Sequence, residues 1–338
     1  MDRAATLAVQ AHNNVRRTPS MAPPSADQRA TLLRGFAELY PETLGDEFFL
    51  PVRGISPVAR AAPNDFGVAH ALDISWASDY QPFIAGMRER YERTTQNHAA
   101  SVRLFRAEQK RPVAILIHGY MAGSYHVEAK LWPVQRFLRS GYDVAFFTLP
   151  FHGVRANPAR RGPPEFPGAD PRFSTEGFRQ IIGDLRNFMG WLREQGHPEV
   201  GVMGMSLGGY TAALLATVQE GLSFCVPIIP LASLADFARE QGELSAAPAA
   251  EAEEHALLER IYRVVSPIAR RPLIAPSRTL VVAAKADRIT PVAHARKLAA
   301  HFGSPLVSWH GGHLLQLGRN AAFRRVEALL RELRAKPI

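Results

Sequence analysis

The chain has 338 residues, 46% hydrophobic and 21% charged, enough apolar material for one large core or two small ones. No apolar run approaches the roughly 18 residues of a membrane-spanning helix, and the patch around Leu7 and Val9 is too short for a secretory leader; the chain reads as cytoplasmic, without a membrane span. The net charge of +9 comes from scattered arginine pairs such as Arg160-Arg161 and Arg324-Arg325, with no basic run interleaved with aromatics, so it describes a solvated surface and not a nucleic-acid footprint.

Residues 1–25 lack periodicity and end in a Pro-rich stretch, which reads as a mobile arm. Ser25 or Asp27 can cap a helix through Tyr40, with Leu32, Leu33, Phe36 and Leu39 on one face and Pro41 as its stop. A short strand is expected over 47–52, a loop over 54–69, a strand over 72–77 and an amphipathic helix over 80–97. A strand over 101–106 follows. From Val113 the pattern becomes regular: apolar strands at 113–117, 142–149 and 200–203, separated by helices through Leu131–Leu138 and through Phe178–Leu192, the latter capped by Ser174 or Thr175. Residues 156–172, rich in Pro and Arg, read as a surface loop, and Arg155, Arg160 and Arg161 as surface charge. Beyond a strand at 224–229, which holds Cys225 as a buried structural thiol, residues 231–276 form a detour with a helix near 251–265. Strands at 279–284 and 306–309 and helices at 293–301 and 320–335 complete the chain. Strands alternating with helices imply an α/β fold, a mostly parallel sheet with helices on both faces.

Chemistry concentrates at Gly204-Met205-Ser206-Leu207-Gly208, between an apolar strand and an Ala/Leu-rich helix. A strand turning directly into a helix crowds its central residue, and glycines two positions away remove the clashing Cβ atoms. Serine needs a base, and the base an orienting acid; in parallel sheets such groups gather past the carboxyl ends of strands. Asp287 follows the strand at 279–284, and His310-Gly311-Gly312-His313 follows the strand at 306–309. Asp236 is the fallback acid and His310 the rival histidine. A metal site of His310, His313 and Asp287 would leave the elbow unexplained.

The order Ser206, Asp287, His313, the loop His118-Gly119-Tyr120-Met121 after the strand at 113–117, and Leu149-Pro150-Phe151-His152-Gly153 together resemble the α/β-hydrolase superfamily over residues 100–335. That resemblance implies Ser206 as nucleophile, His313 as general base, Asp287 as the orienting acid, and an oxyanion hole from the backbone N–H groups of Leu207 and Tyr120, with His118 shaping the loop. It implies no cofactor and no metal, a small-molecule ester or acyl substrate, a hydrolase domain over 101–338 with a lid-like insertion at 231–276, and an extension over 26–100 packed on it. The insertion is expected to present Leu257, Leu258, Ile261, Tyr262 and Val265 as an apolar face, either over the pocket or as ordinary core.

Overall fold

A computed structural model describes residues 25–335; the arm expected over 1–25 lies, except for Ser25, outside them. In chain order the elements are α1 (Ala26–Ala37), β1 (Val58–Ala61), β2 (His70–Ala77), α2 (Arg88–Glu92), β3 (Ala99–Arg106), β4 (Val113–Ile117), α3 (Tyr125–Leu131), α4 (Val134–Arg139), β5 (Asp143–Phe147), α5 (Pro171–Glu194), β6 (Val200–Met205), α6 (Leu207–Val218), β7 (Cys225–Ile228), α7 (Leu234–Glu240), α8 (Pro248–Tyr262), β8 (Val281–Ala284), α9 (Val292–Phe302), β9 (Leu306–Trp309) and α10 (Arg319–Ala335).

The nine strands form one sheet in the order β1-β2-β3-β5-β4-β6-β7-β8-β9. β1 to β3 run antiparallel to their neighbours, and β3 meets β5 antiparallel. From β5 to β9 every pairing is parallel. Every residue of β4, β5 and β6 is buried, which is why these strands read as unbroken apolar runs. Alternate side chains feed two cores. Ile115 and Val202 face one layer with α5, α6, α8 and α9. Leu116 and Met203 face the other with α3, α4 and α10. The chain leaves β4 toward β5 and then crosses back to β6. That reversal opens a crevice beyond the carboxyl ends of β4 and β6. Their register pairs Ile117 with Gly204, so residues 118–121 and Ser206 leave the sheet side by side.

Several local expectations are corrected. The stretch at 47–52 is not a strand; it begins with a single 3-10 turn, Asp46–Phe48, and buries adjacent Phe48 and Phe49 instead of alternating. The expected helix over 80–97 is three short pieces, Ala85–Met87, α2 and Thr95–His98; the Glu176 carboxylate accepts the N–H groups of Phe83 (3.0 Å) and Ile84 (2.7 Å) before the first, and the Asn97 side chain donates to Gln180 (2.9 Å) in the last. Pro133, which has no N–H to donate, separates α3 from α4. Asp170, not Ser174 or Thr175, caps α5, with Pro171 in its first turn. On α1 the buried face is Ala30, Leu33 and Ala37, while Leu32 and Leu39 are exposed; Ser25 caps it in a reciprocal bond with Gln28. In the insertion, Leu258, Ile261 and Val265 are core, and the Tyr210 hydroxyl donates to the Val265 carbonyl at 2.9 Å. α1 lies on α8, where Arg29 meets the buried Glu254 carboxylate at 3.4 Å. No helix among the described residues is long and apolar enough to cross a membrane.

Candidate active site

β6 runs directly into Ser206, which sits at φ 55°, ψ −114°, where an L-residue is strained. The flanking glycines make that turn possible. A Cβ on Gly204 would land on the Gly208 carbonyl, and one on Gly208 would strike the Ile117 carbonyl and lie 2.6 Å from that of His118. The turn is fixed by Ser206 N–H donating to Ile228 O at 2.9 Å. Leu207 opens α6, so its N–H lies in the first turn, where helix donors have no carbonyl of their own. Ser206 is 9% exposed.

The loop after β4 lies beside this elbow. A Cβ at Gly119 would lie 3.5 Å from the Ser206 Cβ. Met121 holds φ 61°, and Ala122 N–H closes the turn onto Gly119 O at 3.3 Å. Two buried side chains fix the loop. His118 Nδ1 donates to Gly119 O (2.8 Å), and its Nε2 accepts Leu149 N–H (3.0 Å). Glu128 accepts Gly123 N–H (3.0 Å) and Trp132 Nε1–H (2.9 Å), and burial pushes its carboxyl above the usual range. Burial pushes the His118 imidazole down to about 4, so it is neutral and fully occupied, a fastener for the loop. His152, whose ring lies 5.1 Å from that of His118, is pushed down to about 3 by the same cause. Tyr120 places its ring beside His152 (6.0 Å).

The structure brings Asp287 and His313 together from the ends of adjacent β8 and β9. His313 Nδ1 donates to Asp287 Oδ2 at 2.8 Å, with the carboxylate side chain fully buried and the imidazole 10% exposed. Asp287 Oδ1 accepts the N–H groups of Ile289 (2.9 Å) and Thr290 (2.8 Å). One oxygen therefore shapes the turn into α9 and the other holds the histidine. Thr290, to which the sequence assigned no role, completes the cluster. Its hydroxyl lies 2.9 Å from Asp287 Oδ2, 3.1 Å from His313 Nδ1 and 3.0 Å from Ile229 O. The signal was present as a threonine three residues after the acid, but its reach to Ile229 across the sheet is not visible in one dimension.

The alternatives lie elsewhere. His310 is exposed. Asp236 is engaged by His255 (2.9 Å) and Lys297 (2.8 Å). Arg155 is not surface charge: it is fully buried, pairs with Asp184 at 2.9 Å and reaches the Thr148 carbonyl at 3.3 Å. Cys225 is buried, and burial pushes its thiol well up, as for a structural residue.

Residues 114–326 match the model of the alpha/beta hydrolase family. Proteins from two strains of Mycobacterium tuberculosis, both named only as uncharacterized, are 30% identical over 251 residues. The match covers 72% of this chain and 60% of each relative, so the chain spans about three fifths of the length of the curated relatives it matches. Among solved structures, an acetyl xylan esterase from a Thermoanaerobacterium species superposes with a TM-score of 0.56 at 15% identity, covering 91% of this chain and 94% of that one. One from a Paenibacillus species superposes at 0.53 and 16% identity, covering 92% and 96%. At such identities these likenesses show the fold alone. A nine-stranded, mostly parallel sheet and a strained serine between two glycines agree with the family match: the chain belongs to the alpha/beta hydrolase family.

Proposed function

We propose that the protein is a serine hydrolase that cleaves a carboxylic ester through an acyl-serine intermediate. The observation that carries this reading is the 2.8 Å bond between His313 Nδ1 and the buried Asp287 carboxylate. It fixes the tautomer in which Nδ1 holds the proton and Nε2 is the basic nitrogen. In this reading His313 Nε2 takes the proton of Ser206 Oγ as that oxygen attacks the ester carbonyl. The developing oxyanion is received by the N–H groups of Leu207 and Tyr120, each contributing about 3 kcal/mol to the transition state. The imidazolium, steadied by Asp287, then protonates the departing alkoxide. Water attacks the acyl-serine by the same route in reverse. The closeness of the loop at Gly119 to Ser206, where an added Cβ would already touch the Ser206 Cβ, supports this use of the loop, since it brings backbone to the nucleophile.

A fluorophosphonate probe tests the proposal. Folded protein is labelled and Ser206→Ala is not; label that survives Ser206→Ala, or none on the folded wild type, removes it. Matched ester, thioester and amide substrates, beginning with acetyl esters because the superposed solved structures are named acetyl xylan esterases, separate esterase from thioesterase and amidase or peptidase on the same triad.

A further inference from the structure

We propose that the loop between β9 and α10, together with the exposed face of α3, docks on an anionic phospholipid surface. This surface stands independently of the esterase reading, because the side chains it uses are not Ser206, Asp287 or His313.

The loop projects apolar side chains from a backbone held in place. Leu317 is 73% exposed and Leu315 44%. Their exposure is not slack. A Cβ at Gly311 would lie 2.6 Å from Leu315 O and 2.7 Å from Leu317 N, so the loop is folded back on itself. Gly312 N–H donates to Leu315 O (2.9 Å), Gln316 Nε2 to His313 O (3.1 Å) and Arg319 Nη1 to Gln316 Oε1 (2.6 Å). With the backbone turned inward, the leucines face water at a standing cost.

Further exposed apolar side chains lie on a neighbouring element. Trp132 rests on Phe323 (6.5 Å between rings), and Arg136 donates to Asn320 (3.4 Å), so the start of α10 lies against α3 and α4. α3 carries Val127 and Leu131, one turn apart and both exposed, and the loop before it carries Met121, 63% exposed.

Charge selects the occupant. Residues 121–139 and 310–327 hold Lys130, Arg136, Arg139, Arg319, Arg324 and Arg325. Of their two acids, Glu128 is 3% exposed and bonded inward, and Glu327 is largely covered and paired with Arg331. Exposed leucines on segments that carry six cations and no fully exposed acid suit a bilayer that is negative at its surface and apolar beneath. A surface on the same loops as His313 and Met121 would turn the candidate site toward the lipid.

Co-sedimentation of the full chain with vesicles tests this, comparing phosphatidylglycerol/phosphatidylcholine mixtures with phosphatidylcholine alone at physiological salt. The protein partitions onto the anionic vesicles. Leu315→Asp with Leu317→Asp weakens partitioning by about tenfold or more. Arg324→Glu with Arg325→Glu weakens it by about tenfold, and Ser206→Ala leaves it unchanged. Leu317→Ser, a milder change at the most exposed position, gives an intermediate loss and guards against misfolding of the double variant. No partitioning, or partitioning indifferent to the leucine variants, overturns the proposal. So does a lipid-free dimer in sedimentation velocity that the leucine variants dissociate, because the patch would then belong to a second copy.

Discussion

Thr290→Val tests whether the cluster works as a unit. The substitution keeps the β-branched shape and removes one hydroxyl that lies within 3.1 Å of His313 Nδ1, Asp287 Oδ2 and Ile229 O. That hydroxyl has one proton and two acceptors, the carboxylate and the carbonyl. Its lone pairs face the imidazole N–H. A hydrogen bond to a charged group contributes about 1.5–3 kcal/mol, and a buried carbonyl left without its donor costs about 1–3 kcal/mol. Asp287 Oδ2 keeps His313, so the acid is not orphaned, and the lower end of each range applies. We therefore expect kcat/KM on an activated ester to fall by about tenfold to a hundredfold, at 1.4 kcal/mol per tenfold, with the loss mainly in kcat because the hydroxyl sits behind the histidine. The rate of fluorophosphonate labelling should fall in parallel, since it draws on the same base without requiring turnover. Thr290→Ser, which restores the hydroxyl, should recover most of both rates. A Val variant with wild-type labelling and turnover, or a Ser variant as slow as Val, would show that the hydroxyl only packs.

Further expectations concern strain, space and acid. Ser206→Gly abolishes activity yet raises the melting temperature, because glycine holds φ 55° without the roughly 1–3 kcal/mol that an L-residue stores there; a lower melting temperature would refute strain at the elbow. Gly208→Ala drives a methyl into the carbonyls of Ile117 and His118 and should yield little folded protein or a labelling rate reduced at least about a hundredfold; normal labelling would show that the loop yields freely. The His118 and His152 contribution to stability should decline as pH falls from about 6.5 toward 4. In that window the unfolded His118 and His152 bind protons that the folded imidazoles, pushed down to about 4 and about 3, refuse, a slope of at most about 1.4 kcal/mol per pH unit for each. Asp143, which burial pushes up to about 6, and Glu128, Glu176 and Asp184, which burial also pushes up, act in the opposite direction, since the folded state binds their protons more readily as pH falls. The difference in melting temperature between wild type and His152→Phe isolates the histidine part, and a pH-independent difference contradicts it.

The parallel half of the sheet was legible because strands buried on both faces leave continuous apolar runs, as at Val113–Ile117. β1 was not: Val58, Ala59, Arg60 and Ala61 are all exposed, and the strand is held to β2 by backbone pairing, which leaves no hydrophobic pattern. Residues 80–97 read as a helix because Ile84, Met87 and Tyr91 recur at helical spacing; the structure divides the run into three short pieces, and the Glu176 carboxylate of α5 accepts the N–H groups just before the first. In the candidate site, Asp236 and Asp287 both follow strands, and the sequence prefers Asp287 only by the resemblance. The adjacency of β8 and β9, which places Asp287 beside His313, gives that preference a physical basis. Arg155 reads as surface charge from its neighbours in sequence, but its partner Asp184 lies in the middle of α5, beyond any local pattern.

Backbone strain points to the same rim without reference to the motif. Among the described residues, the non-glycine residues at positive φ are Asp79, Met121, Phe151, Ser206 and Ile229. The last four follow β4, β5, β6 and β7 in turn, each a few residues past the strand's carboxyl end. Strain of this kind costs on the order of 1–3 kcal/mol per residue and persists only where packing over-determines the chain. The strands beneath are fully buried, so the sheet can hold it. Three of these turns border the candidate site: Met121 turns the loop beside Ser206, Phe151 lies two residues past Leu149, which donates to His118, and Ile229 offers its carbonyl to Thr290. Glycine takes positive φ on both rims, at Gly123 and Gly153 past β4 and β5 and at Gly141, Gly196 and Gly303 where the chain enters β5, β6 and β9. The rims differ in that non-glycine residues take such angles past the carboxyl ends of β4 to β7, which is where a preorganised site on this sheet would sit.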